Sequence, residues 1–136
     1  MDLRFIVVDD DPLNNMLCTY LIKKAAKDAD VKCFEYPAEG LSFISSEYSS
    51  RDKHTTILFL DINMPEISGW DFLEEFDKLS KEIREQFIIY IVSSSVDAAE
   101  LERAKANIYV KEYLSKPLNK TILEKICEEL PCSMFN

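Results

Sequence analysis

The stretch Leu3-Arg4-Phe5-Ile6-Val7-Val8-Asp9-Asp10-Asp11-Pro12 carries a mostly apolar run directly into three acids and a proline. A short run that is nearly continuous in hydrophobicity, rather than alternating, is the pattern of a strand covered on both faces. A proline shortly after it suits a first helical turn, where the missing N–H has no intrahelical partner. The acids between them stand where a helix begins and are favoured there by its dipole. Strand, acidic turn and helix form the unit read from this opening.

Outward from that unit the same grammar recurs. Four further apolar, β-branched runs follow: Val31 to Tyr36, Thr55 to Leu60, Phe87 to Val92 and Tyr109 to Leu114. Between them apolar residues return at helical spacing. Leu13, Met16, Leu17, Tyr20 and Leu21 share one face, as do Ile122, Leu123, Ile126, Cys127 and Leu130. Trp70, Leu73, Phe76 and Leu79 give a third stripe, and Ala38, Leu41 and Ile44 a weaker fourth. Each stripe, aromatics included, reads as core. Pro37 repeats the placement of Pro12 at a helix start. Strand and helix alternate five times, which predicts an α/β protein with a doubly wound parallel sheet and right-handed crossovers. Such sheets bind ligands outside the carboxyl ends of their strands, near the switch in strand order. Ser45 to His54 is the one longer loop expected, polar enough for a surface excursion.

A chain of 136 residues suits one domain, taken as 1–136 with its core over 3–130 and a short tail over 131–136. That length supports a full apolar core without metal or disulfide staples. Sixteen Lys and Arg against 25 Asp and Glu leave a net charge of −9. A surface that acidic repels phosphate backbones, so direct nucleic-acid or anionic-membrane binding is not expected. No apolar run approaches the ~18 residues of a membrane span, and the opening run is too short for a signal-peptide core. A soluble, cytoplasmic protein is expected. Cys18, Cys33, Cys127 and Cys132 form no CxxC pair and read as reduced thiols. His54, the only histidine, reads as an exposed loop residue, and no Ser-His-Asp pattern surrounds it.

The chemistry follows the strands. Asp9-Asp10-Asp11 comes after the first, Asp61-Ile62-Asn63-Met64-Pro65 after the third, Ser93-Ser94-Ser95 after the fourth and Ser115-Lys116-Pro117 after the fifth. In a parallel sheet all four sets reach one edge, bringing together carboxylates, hydroxyls and one lysine. Clustered carboxylates repel, so some are protonated or a cation neutralises them. Oxygen donors with no His or Cys nearby suit a hard cation, Mg2+ or Mn2+. A lysine beside a carboxylate–metal cluster is what phosphoryl transfer needs, since that chemistry is mostly charge neutralisation and positioning. Each signal alone is weak; four matched strand ends are strong.

These residues resemble the receiver domains of two-component response regulators, over roughly residues 3 to 130. The resemblance rests on Asp9-Asp10, Asp61 in a D-x-x-M-P context, Gly69, Ser93 and the Lys116-Pro117 dipeptide, in matching order and spacing. It implies a flavodoxin-like (βα)5 fold with strand order 2-1-3-4-5, in a stand-alone, chemotaxis-regulator-like form. It implies that Asp61 accepts a phosphoryl group from a histidine kinase or phosphotransfer protein. The domain would be a phosphoacceptor that assists its own phosphorylation and dephosphorylation, not an enzyme. Mg2+ (or Mn2+) would be held by Asp10, Asp61 and the backbone carbonyl of Asn63, with Asp9 acting through metal-bound water. Lys116 would pair with the phosphoryl oxygens, and its bond to Pro117 would be cis. Ser93 would move toward the phosphoryl group and Tyr113 would turn inward with it. A partner-binding face of the fourth helix, fifth strand and fifth helix would switch as a result. Asp11 reads as an exposed helix-start acid.

The sequence also departs from the family pattern. The usual glycine-alanine step before the fifth strand is Tyr109-Val110, so the fourth helix is expected to end at Asn107, a residue that tolerates the left-handed conformation. Gly40 and Gly69 are the only glycines, and Ser94 and Ser95 follow the switch hydroxyl. These changes bear on the shape of the output face, not on phosphorylation. A phosphatase of the haloacid-dehalogenase type also places Asp-x-Asp after its first strand, as Asp9 and Asp11 do. Leu13 stands where that pattern needs Thr or Val, and no late acidic pair or cap segment is present. A pseudo-receiver, keeping the fold without the chemistry, is the other alternative, although every residue the chemistry needs is there. Only residues 131–136 follow Leu130, so output is expected to run through a partner, a phosphorelay or a larger parent protein.

Overall fold

The computed structural model describes residues 3–51, 55–94 and 97–130. Five strands, β1 (Leu3–Val8), β2 (Asp30–Phe34), β3 (Thr55–Leu60), β4 (Phe87–Ser93) and β5 (Val110–Ser115), pair in parallel in the order β2-β1-β3-β4-β5. The chain leaves β1 for one edge and returns past it to β3, so the strand order reverses between β1 and β3. The continuous apolar runs are explained by two cores. Phe5, Val7, Ile57, Phe59, Tyr90 and Val92 face one, and the alternate residues Ile6, Val8, Leu58, Leu60, Ile89 and Ile91 face the other.

Helices α1 (Pro12–Ala25) and α6 (Lys120–Glu128) cover the first core. Helices α2 (Pro37–Glu47), α3 (Gly69–Asp77) and α5 (Ala98–Ala106) cover the second. Pro12 and Pro37 each occupy the first turn of a helix, as read from the sequence. The Trp70, Leu73 and Phe76 stripe is buried, and so are Leu123, Ile126, Cys127 and Leu130. The Lys116-Pro117 bond is cis.

Several expectations are corrected. A short sixth helix, α4 (Lys81–Arg84), lies between α3 and β4, because Ser80 caps a fresh turn after α3 ends. The helices expected fourth and fifth are therefore α5 and α6. β2 ends at Phe34 rather than Tyr36, which serves as the N-cap of α2. Ser45 and Ser46 belong to α2, and Tyr48 is buried with its hydroxyl bonded to Thr56. Asn107 does end α5, but in extended backbone (φ −84°, ψ 124°), with its side-chain oxygen accepting from Tyr109 N at 2.9 Å. His54, Ser95, Cys132 and the 131–136 tail lie outside the described residues.

The largest correction concerns α1. Leu13, Met16 and Tyr20 are 73%, 69% and 59% exposed, and Leu17 is exposed as well. The buried side of the helix is Asn15, Cys18 and Ile22, with Leu21 packed at its margin. The apolar stripe that reads as core faces outward.

Candidate functional site

The carboxyl ends of β1, β3, β4 and β5 meet at one edge, as the alternation of elements requires. Backbone bonds carry the strand pairing past the strand ends. Asp9 N donates to Phe34 O at 3.0 Å, Asp61 N to Val8 O at 3.0 Å, and Lys116 N to Ser93 O at 2.9 Å. The four segments predicted to carry the chemistry are thus each fixed by a neighbouring strand.

Asp9, Asp10 and Asp61 each present a carboxylate oxygen, all within 4.8 Å of one another. Asp9 and Asp61 are buried. Burial first, and the neighbouring Asp9 charge after it, push the Asp61 carboxyl up to about 6 against the pull of Lys116. Lys116 Nζ lies 2.6 Å from Asp9 Oδ2 and 3.6 Å from Asp61 Oδ2. Its burial works against the charged form, but the hydrogen bond and charge of Asp9, followed by Asp61, raise its pKa overall. One lysine against three acids leaves the cluster short of positive charge. The residues fit a hard divalent cation: their donors are all oxygen, and the repulsion among them is what a cation relieves.

Asp61 is placed from the other side by α3. Gly69 N donates to Ile62 O at 2.9 Å, and a Cβ on Gly69 would stand 2.5 Å from Asp61 O and 2.9 Å from Ile62 Cα. Only glycine lets the helix start this close to the loop. Ser68 caps α3 in a reciprocal box with Asp71, whose carboxyl is held low by the Ser68 backbone and hydroxyl donors. Asn63 N donates to Asp61 Oδ1 at 3.3 Å. A cavity of about 210 Å3, lined by Asp10, Glu35, Tyr36, Pro37, Pro65 and Glu66, opens beside the acids.

Ser93 is fully buried as the last residue of β4. Leu60 pairs with Ile91, so Ser93 stands just past the level of Asp61. Tyr113, on β5, pairs with Ile91 of β4 and packs half-buried against the second core. Asp11 is the N-cap of α1, its carboxylate accepting from Leu13 N at 3.0 Å, the helix-start role read from the sequence. The described cysteines, Cys18, Cys33 and Cys127, carry free thiols.

Two residues were not singled out from the sequence. Asn14 Nδ2 donates to Asp9 Oδ2 at 2.8 Å, and Asn15 Nδ2 donates to the Asp9 carbonyl at 3.0 Å. These two amides draw the first turn of α1 inward and so turn Leu13, Met16 and Tyr20 out. The available signal is a pair of amides one helical turn past a strand-end acid.

The family model of the response regulator receiver domain matches residues 5–128. The chain belongs to that family and is a receiver domain of two-component signalling. It is 24% identical over 127 residues to the sensory transduction protein LytT of Enterococcus faecalis, covering 93% of this chain and 47% of that protein. It is also 24% identical over 124 residues to histidine kinase CKI1 of Arabidopsis thaliana, covering 86% of this chain and 11% of that one. The chain spans about half the length of the first relative and about a tenth of the second. The crystal structure of a response regulator receiver protein from Dyadobacter fermentans superposes with a TM-score of 0.83 at 26% identity, covering 93% of this chain and 95% of that one. Among the described residues no helix is long and apolar enough to cross a membrane.

Proposed function

We propose that Asp61 is the phosphoacceptor of this receiver domain and that a phosphorylated histidine, on a kinase or phosphotransfer protein, is the donor. The observation that carries the reading is the Asp9–Asp10–Asp61 cluster with Lys116 between two of its carboxylates. An Asp61 carboxylate oxygen bonds to phosphorus as the donor's P–N bond breaks. Lys116 meets the added negative charge on the phosphoryl oxygens. Asp10, Asp61 and the Asn63 carbonyl would hold Mg2+ or Mn2+, with Asp9 acting through water, and the cation would supply further neutralisation of the phosphoryl charge. Protonation of Asp61 below about pH 6 removes the nucleophile from the metal-free site.

The exposed Leu13, Met16, Leu17 and Tyr20 support the same reading. They lie on the helix whose first turn returns to Asp9, so this apolar face begins at the rim of the pocket. A protein delivering a phosphoryl group must cover that rim, and an apolar patch there suits its docking.

Phosphorylation then acts on the face formed by α5, β5 and α6. Shifting a two-state equilibrium from 1:99 to 99:1 takes about 5.5 kcal/mol of differential interaction. One charge-assisted hydrogen bond contributes about 1.5–3 kcal/mol. Ser93 alone falls short, so Lys116 shares the switch and Tyr113 relays it. Treating the protein with acetyl phosphate and Mg2+ and mapping the modified peptide should locate one phosphoryl group, on Asp61. An Asp61→Asn variant labelled at the wild-type rate would remove the assignment.

A further inference from the structure

Building on the phosphoacceptor reading, we propose that Asn14 is a positioning residue whose amide lets Lys116 leave Asp9 for the phosphoryl group on Asp61. The Asp9 carboxylate is 2% exposed and fully engaged. Its Oδ1 accepts from Asp11 N at 2.9 Å. Its Oδ2 accepts from two donors, Asn14 Nδ2 at 2.8 Å and Lys116 Nζ at 2.6 Å. Lys116 stands 1 Å farther from Asp61, at 3.6 Å. At rest the lysine is therefore parked on the carboxylate that does not receive the phosphoryl group.

To neutralise charge on Asp61 the lysine must give up Asp9. A buried carboxylate oxygen stripped of its donor is costly, because nothing replaces the water it lost on folding. Asn14 removes that obstacle by staying on Oδ2 when Lys116 goes. Among the described residues its other acceptor is the Cys18 thiol at 3.7 Å, too weak to draw the amide away. The chemistry of the side chain matters as much as its reach. A cationic residue here would oppose a metal ion at the neighbouring acids, and an anionic one would hold Lys116 in place. A neutral donor does neither. Asn15 complements it by binding the Asp9 carbonyl, so one residue fixes the backbone of Asp9 and the other its side chain.

The test uses Asn14→Ala, which removes the donor, and the near-isosteric Asn14→Asp, which replaces it by an acceptor. Phosphoryl incorporation from acetyl phosphate is followed at saturating Mg2+, and Mg2+ affinity is measured separately by calorimetry without phosphodonor. Both variants should incorporate phosphoryl about tenfold or more slowly than wild type, the equivalent of one charge-assisted hydrogen bond. Mg2+ affinity should be kept in Asn14→Ala and tightened about tenfold in Asn14→Asp, where a fourth carboxylate joins the cluster. A support role confined to folding would move both readouts down together with the melting temperature. The proposal is overturned if either variant incorporates at the wild-type rate, or if Asn14→Ala loses Mg2+ affinity and stability in parallel. Failure of the wild type itself to incorporate would overturn the underlying phosphoacceptor reading, and the proposal with it.

Discussion

Helices α5 and α6 are each nine residues long and flank the same strand, yet they are held by different physics. α6 buries Leu123, Ile126 and Cys127 in the first core. α5 buries only Ala104. This helix lies along β5, and its polar side chains add ties to α3. Trp70 Nε1, on α3, donates to Glu100 Oε2 at 2.6 Å, and the Arg103 guanidinium stands 4.7 Å from the centre of the Trp70 ring. Past the exit of α5, the Tyr109 hydroxyl donates to Asp77 at the end of α3 and accepts from Arg84 Nη1 of α4 at 2.6 Å. The Tyr109 ring meets Phe76 edge-on at 5.4 Å.

The difference teaches where a surface change can start. Apolar burial resists displacement in proportion to area, whereas a few directed bonds can be exchanged for others at small net cost. Within the proposed output face, α6 is the fixed wall and α5 the adjustable one. The Tyr109-Val110 departure from the usual glycine-alanine step thereby gains a role: the tyrosine ties the start of β5 back to α3 and α4.

The comparison is broken most easily through stability. Leu123→Ala in α6 should cost about 3 kcal/mol by urea unfolding, as buried leucine truncations do. Leu101→Ala in α5, more than a third exposed, should cost about 0.5 kcal/mol or less. Equal costs would show that α5 is anchored by packing after all. Trp70→Phe keeps an aromatic face but deletes the donor to Glu100 and part of the buried indole, and about 1 kcal/mol or more should be lost. Amide exchange in residues 98–106 should then quicken while the sheet stays protected. Tyr109→Phe should act in the same direction with a smaller effect, because Asp77, the acceptor of its hydroxyl, is open to solvent. Protection of α5 unchanged in both variants would remove the polar strap from the account.

Much of this was legible in the sequence, for physical reasons that can be named. The strands were, because a strand buried on both faces must be apolar at consecutive positions, as Phe5 to Val8 and Ile57 to Leu60 are. The site was, because a parallel sheet sends every carboxyl end to one edge whatever the loops do. The rotation of α1 was not. Leu13, Met16 and Tyr20 compete with Cys18 and Ile22 for the buried side, and two amides bound to Asp9 decide the contest. The α5 strap was hidden for the same reason. Trp70 reads correctly as core, while its single polar atom, aimed at a residue thirty positions away, leaves no periodic trace.

The central claim is that a phosphoryl group on Asp61 reaches the surface through α5 and β5. Amide NMR shifts of the wild type, recorded with and without the phosphoryl group, test it most directly. The expected result is a set of changes concentrated in residues 98–115, with those in 120–128 much smaller, and a weakened but surviving response in Ser93→Ala. Changes confined to the pocket, or as large in α6 as in α5, would contradict it.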